Sequence, residues 1–201
     1  MFGGMNPWMN MWAQPRVTIR TIVTSRPSYG VLRLATIYAL QNLLFSANYW
    51  SLGFQFPFTA ILLVSILLAP IAGIIWVYFA GWIFSFTGSW LGGRAPMSHL
   101  RAALAWSKLP SCISLLMWFI LIVSKAESAF IQDVNGPSLI FGDLILTILG
   151  IWSLVLLVQS IREIQGFSIL RTIGNILLAA LVSSVLSLLV FLASRLVVLR
   201  M

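Results

Sequence analysis

From Phe58 to Trp90 the chain runs some 33 residues without a single charged side chain. At a 1.5 Å rise such a helix reaches roughly 50 Å, against about 30 Å of bilayer hydrocarbon. Two spans in its place would each be too short, and no polar turn lies between them. The stretch therefore predicts one long, tilted helix that protrudes at one end, with Pro70 as its candidate kink. Composition extends the same constraint to the whole chain: 60% of the residues are apolar and 8% are charged. Ordinary soluble domains carry about 25% charged residues. Such a sparse set cannot cover a soluble surface while nine Trp and thirteen Phe also need burial. Disorder is excluded by the same hydrophobicity. A barrel would show alternating segments of roughly ten residues, and the apolar runs here are continuous. An all-α integral membrane protein remains, because helices satisfy their own backbone in lipid.

Five apolar stretches are expected to span, at 29–49, 58–90, 111–126, 139–160 and 172–194, in a membrane domain covering 29–201. The first is the most polar, with Arg33, Gln41 and Asn42 inside it. The third is short and needs flanking residues to complete it. Ahead of them, residues 1–28 read as an interfacial segment of two short helices on the cytoplasmic side. Asn6 caps the first with Pro7 at its first position, and Pro15 starts the second. Trp8, Met11 and Trp12 share a face. In the second helix Ile19, Ile22 and Val23 cluster, and Arg16 and Arg20 turn away toward lipid phosphate. The formal charge of +8 comes from twelve Lys and Arg against four acids. Nine basic residues (Arg16, Arg20, Arg26, Arg33, Arg94, Arg101, Lys108, Arg162 and Arg171) fall inside when the N-terminus is cytoplasmic and the C-terminus outside. Only Lys125, Arg195 and Arg200 are left out. Topology thus accounts for the basic excess without a nucleic acid. Glu127, Asp133 and Asp143 fall on or near the external side, and Glu163 falls inside, within reach of Arg162 or Arg171.

Small residues recur every fourth position in the second span: Ser65, Ala69, Gly73, Gly81, Ser85 and Ser89, interrupted by Val77. Such rows let membrane helices approach closely where no hydrophobic effect drives them together. A four-residue step drifts about 40° per repeat, so the two halves of the row should meet different neighbours. Ala179, Ser183 and Ser187 form a similar row in the fifth span, and a central contact between spans two and five is expected. Catalysis is not expected, because one His, one Cys and four scattered acids make no cluster of reactive groups. No metal-ligand spacing or phosphate-binding loop is present, and no cofactor is implied. His99 reads as solvated or interfacial. Cys112 reads as a small packing residue ahead of an acylation site, and without a second cysteine it forms no intrachain disulfide. Intramembrane polar residues mark either pathways or clasps. Gln41, Asn42, Asp143, Gln159 and Asn175 are the candidates, with Gln159 and Asn175 placed to bond across spans four and five.

Between spans two and three, Gly92 and Gly93 end the long helix and Pro96 with Ser98 start another. Leu100, Ala103 and Leu104 form one face of it, and Trp106 is expected at headgroup depth, as in a helix lying in the membrane plane on anionic lipid. Trp8, Trp12, Arg16, Arg20, Arg94, Arg101, Trp106 and Lys108 are accordingly the candidate contacts to lipid or partner. Gly166 and Ser168 make a tight turn between spans four and five.

Three segments, taken in order, resemble the Yip domain family. They are Asn6-Pro7-Trp8 through Pro15-Arg16-Val17-Thr18-Ile19-Arg20, then Leu91-Gly92-Gly93-Arg94 with Arg101 through Ser107 and Pro110, and lastly Val158-Gln159 with Gln165-Gly166-Phe167-Ser168 and Arg171. The resemblance implies a five-span membrane protein of a group named for interaction with Ypt/Rab GTPases. With fewer than thirty residues before the first span, the chain is similar to the short bacterial members. For those the resemblance implies the cytoplasmic (inner) membrane and no Rab-type GTPase partner. The expected function is non-enzymatic: a scaffold that organises membrane or binds a protein partner or a second copy through its inner face, against anionic headgroups. The alternative is a small transporter or channel lined by intramembrane Gln and Asn. A water-accessible cavity at Gln41, Asn42 or Asn175 would favour that alternative, and a solidly packed core would favour the scaffold.

Overall fold

The computed structural model describes residues 5–125, 128–132 and 137–198, in which helices dominate and no strand occurs among the described residues. In chain order the helices are α1 (Pro7–Ala13), α2 (Pro15–Ser25), α3 (Val31–Tyr49), α4 (Phe58–Trp90), α5 (Met97–Ser107), α6 (Leu109–Lys125), α7 (Pro137–Gln165) and α8 (Ile169–Val198). A single 3-10 turn, Leu52–Phe54, joins α3 to α4. Their boundaries follow local chemistry. The Asn6 side chain accepts the Trp8 N–H at 3.1 Å, and Pro7 and Pro15 occupy first-turn positions where no N–H is needed. Gly92 (φ +85°) lies just past the end of α4, and Gly166 (φ +68°) just past the end of α7, in the left-handed conformation that ends helices. Ser168 then caps α8 by accepting the Arg171 N–H at 3.4 Å. Lys108 alone separates α5 from α6. Pro110, lacking an N–H, fits the opening turn of α6 and would interrupt a single continuous helix.

Four stretches among the described residues are long and apolar enough to cross a membrane: Phe58–Trp90, Met97–Ser124, Leu144–Gln165 and Ile169–Arg195. The chain is an integral membrane protein on that basis. The expected first span is not among them. α3 has 19 residues, enough for roughly 28 Å, but Arg33, Gln41, Asn42 and Asn48 lower its hydropathy. The long helix at 58–90 forms as expected, uninterrupted through Pro70.

Packing departs from the expected pairing. The most extensive helix contact joins α4 to α3, not to α8, which touches α4 and α7 along a narrow strip. The small-residue row explains the choice. A Cβ on Gly73 would sit 2.7 Å from the Ala35 carbonyl carbon, so the α3 backbone passes directly over this glycine. Ser65, Ala69, Gly73, Val77 and Gly81 are all buried along that row. Beyond Gly81 the row winds out of the contact, leaving Ser85 half-buried and Ser89 exposed, while Phe84, Thr87 and Gly88 take over the buried face. Two halves therefore meet different neighbours: α3 first, then α5, α7 and α8. On α8, Ala179 is buried but Ser183 is half-buried and Ser187 exposed.

The second departure concerns α5. Leu100 and the whole run from Ala102 to Ser107 are buried, so this helix is enclosed by α2, α3, α4 and α7 instead of lying on the lipid surface. Ala102, Ala103 and Ala105 are the reason, since their short side chains let neighbours close in on faces that a hydrophobic pattern leaves blank. At the opposite end of the bundle Phe130 fills a second core with Leu44, Ala47, Ile61 and Trp118. Its carbonyl accepts the Gly53 N–H at 3.0 Å, and Asn48 Nδ2 donates to the Ala129 carbonyl at 2.9 Å. The segment 128–132 is thereby tied to the α3–α4 turn.

Candidate functional site

The second N-terminal helix, α2, is clamped to the bundle by one carboxylate, and α1 packs on α2. Arg16 Nε donates to Glu163 Oε2 at 2.9 Å, and Arg20 Nε donates to Glu163 Oε1 at 2.6 Å. The pairing follows from one-turn spacing: Arg16 and Arg20 lie four apart on α2 and reach the two oxygens separately. Glu163 thus binds neither Arg162 nor Arg171, the partners expected from sequence proximity. Its side chain is 6% exposed, while those of Arg16 and Arg20 are 48% and 69% exposed. The two arginines still meet solvent, but their charge is directed at α7. The opposite face of α2 buries Ile19, Ile22 and Val23 as expected.

Trp106 forms the second tie. It is fully buried inside the bundle, and its Nε1–H donates to the Tyr29 carbonyl at 3.0 Å. The Trp8 ring lies 5.0 Å from it and the Tyr29 ring 6.1 Å. Gly30, at φ +70°, leaves space for the indole; a Cβ there would stand 3.0 Å from Trp106 Cζ2. Trp8 and Trp12 are half-buried against this core.

A third tie was not legible as such. Gln165 Oε1 accepts the Ala95 N–H at 3.2 Å, and its carboxamide lies where a Cβ on Gly88 or Gly93 would collide with it. Beside it, Thr87 Oγ1 donates to Asn175 Oδ1 at 2.6 Å, so the buried Asn175 clasps α4 to α8 and does not pair with Gln159. Gln159 itself is half-buried on α7. Asn175 Nδ2 is buried and has no hydrogen-bond partner among the described residues.

The remaining candidate cations divide. Arg94 is exposed. Arg101 is half-buried, its guanidinium 4.3 Å over the Tyr78 ring and its stem filling the space above Gly81. Lys108 Nζ stands 5.0 Å from the Tyr38 ring centre. It borders a cleft of about 290 Å³ between α3, α6 and α7, which Gln41 and Asn42 also line. Across that cleft the Ser111 and Ser153 hydroxyls bond at 2.8 Å. The Asp143 side chain, and Glu127, Asp133 and Arg200, lie outside what the structure describes.

Arg16 with Arg20, Gly93 with Trp106, and Gln165 with Phe167 belong to three segments far apart in sequence, and all of them meet at one end of the bundle. A family model for the Yip1 domain matches residues 9–192, which include all of these ties but Trp8. The chain belongs to the Yip1 domain family. No curated protein and no solved structure matches it. In this Yip1 domain the three segments meet as tertiary contacts: Gly93 admits Gln165, Glu163 holds the Pro15–Arg20 segment, and Trp106 packs against the tilted Trp8 ring.

Proposed function

We propose that this Yip1 domain protein is a non-enzymatic scaffold that organises membrane or a protein partner through the end of the bundle where α1, α2 and α5 gather. The carrying observation is the ion-paired clamp of Arg16 and Arg20 on Glu163. Two short helices that would fray alone are held as a platform, α2 by this clamp and α1 by its packing on α2. Exposed Arg26, Arg33 and Arg94 at this end offer cations to anionic headgroups or to an acidic partner surface. The charge distribution supports a cytoplasmic platform in a bacterial inner membrane, with α3 as a fifth span, the N-terminus inside and the C-terminus outside. Membership of the family supports a non-catalytic role.

Photo-crosslinkers placed at Arg26 and Arg94 in cells are expected to capture a defined protein or a second copy of this chain. The same probes at Ser194, at the far end of α8, are expected to capture neither. Equal capture from both ends removes the scaffold reading.

The cleft at Gln41 and Asn42 is the one observation that favours a transport path. Its lining on α3 extends from Tyr38 to Phe45, seven steps or about 10 Å, against about 30 Å of hydrocarbon. Asn175 is not part of it, being bonded to Thr87. That length supports a binding recess over a conduction route. Solute flux into proteoliposomes that is lost on Asn42→Leu substitution would reverse the preference.

A further inference from the structure

We infer that the cleft between α3, α6 and α7 is a binding site for one anionic phospholipid, whose phosphate meets Lys108 and whose acyl chain runs toward Phe45 and Leu146. The polarity of the lining is graded along the cleft. At the end marked by the α5–α6 junction lie Lys108, Tyr38 and the Ser111–Ser153 pair. Gln41 and Asn42 come next, and Phe45, Leu146 and Leu149 lie farther along α3 and α7. A cation at one end and an apolar slot at the other match an amphiphile, and neither a free ion nor a wholly apolar ligand.

Lys108 is free to take an anion. It forms no ion pair among the described residues, and the one described carboxylate that is paired, Glu163, is held by Arg16 and Arg20. Beside it, Asn42 Nδ2 is committed to the Tyr38 carbonyl at 2.8 Å and lies 3.3 Å from Gln41 Oε1. That contact turns the Gln41 oxygen toward Asn42 and leaves the Gln41 N–H groups for a ligand. A cleft of about 290 Å³ is at the lower end of small-ligand pockets, which run from about 300 Å³. It suits a phosphate head with the first part of a chain, the remainder of the chain lying in bulk lipid. Its location at the inner end of α6 makes the inner leaflet the source. The site deepens the membrane-organising reading, but its test reads lipid alone and stands whether or not a protein partner is captured.

The full chain is reconstituted in phosphatidylcholine vesicles with a trace of tail-photoactivatable phosphatidylglycerol, irradiated and digested. Label is expected on peptides containing Phe45 and Leu146, with the phosphatidylcholine analogue labelling them weakly. Lys108→Gln should reduce labelling about tenfold, the loss of one charge-assisted hydrogen bond. Arg195→Gln, on the exposed far end of α8, should leave it unchanged. Gly150 lines the cleft, and a Cβ there meets nothing within 4 Å, so Gly150→Leu directs its side chain into the recess from an open position. It should abolish labelling while keeping the thermal transition of the parent, which separates an occupied cleft from a damaged fold. Wild-type labelling in both Lys108→Gln and Gly150→Leu overturns the proposal, as does label spread evenly over the exposed faces of α4 and α8. Displacement of the label by millimolar glycerol phosphate also overturns it, because the site would then hold a soluble anion.

Discussion

Glu163 and its two arginines are unequal in their dependence on one another. Removing the carboxylate leaves Arg16 and Arg20 able to turn to water. Removing both arginines strands a carboxylate that is 6% exposed. Glu163→Gln is therefore expected to cost about 1 kcal/mol, and Arg16→Gln with Arg20→Gln about 3 kcal/mol. Thermal unfolding of the detergent-solubilised protein ranks the two; a larger loss in Glu163→Gln would mean that the clamp is not buried in solution. Trp106 offers a second residue-scale test. Trp106→Phe loses the donor to the Tyr29 carbonyl and should cost about 1–2 kcal/mol, whereas Trp106→Ala also opens a cavity and should cost about 3–5 kcal/mol. Near-wild-type melting of Trp106→Ala would place the indole outside the core.

At the scale of elements, α4 contains a graded series of glycines and serines. Gly73 faces the backbone of α3, which cannot move aside, so even Gly73→Ala should destabilise by about 2 kcal/mol or more, and Gly73→Leu should split the bundle. A Cβ on Gly81 meets the Arg101 side chain at 2.8 Å, which can shift, and Gly81→Ala should cost less. Ser89, exposed, should accept Ala within about 0.5 kcal/mol. Unfolding midpoints measured across the series should fall in that order. The row of small residues was legible in the sequence, but its partner was not. A four-residue repeat states that something approaches closely, and α3 and α8 were both available. α3 was obscured because its Ala35 and Ala39 do not stand out in a span weakened by polar residues.

For the whole molecule, the distribution of charge predicts which end faces the cytosol. In a Cys112→Ala background, a single cysteine at Ser194 should react with membrane-impermeant maleimide added to intact cells, and one at Arg26 should react only after lysis. The reverse pattern would invert the platform and the leaflet supplying the cleft. α8 belongs to this scale too. Leu177, Leu181, Val185, Leu188 and Leu192 are exposed along its length, so most of α8 is a lipid-facing wall and only the strip with Thr172, Asn175 and Ala179 enters the core.

The helical class, the caps and the apolar stretches of α4, α7 and α8 were determined by the sequence, because each depends on neighbours within a few residues: a proline without an N–H, a glycine at positive φ, a run without charge. The N-terminal helices and the turn at Gly166 belong to the same category. Tertiary structure decided the rest. It chose Glu163 for Arg16 and Arg20, 147 and 143 residues away, and Thr87 for Asn175, 88 away. It enclosed α5, whose alanines carry no directional signal, and lodged Gln165 against Gly93. Those outcomes depend on which surfaces meet when long helices with nearly uniform apolar faces pack. In lipid no hydrophobic gradient marks the buried side, so close approach and scarce hydrogen bonds select it, and neither is written in local order.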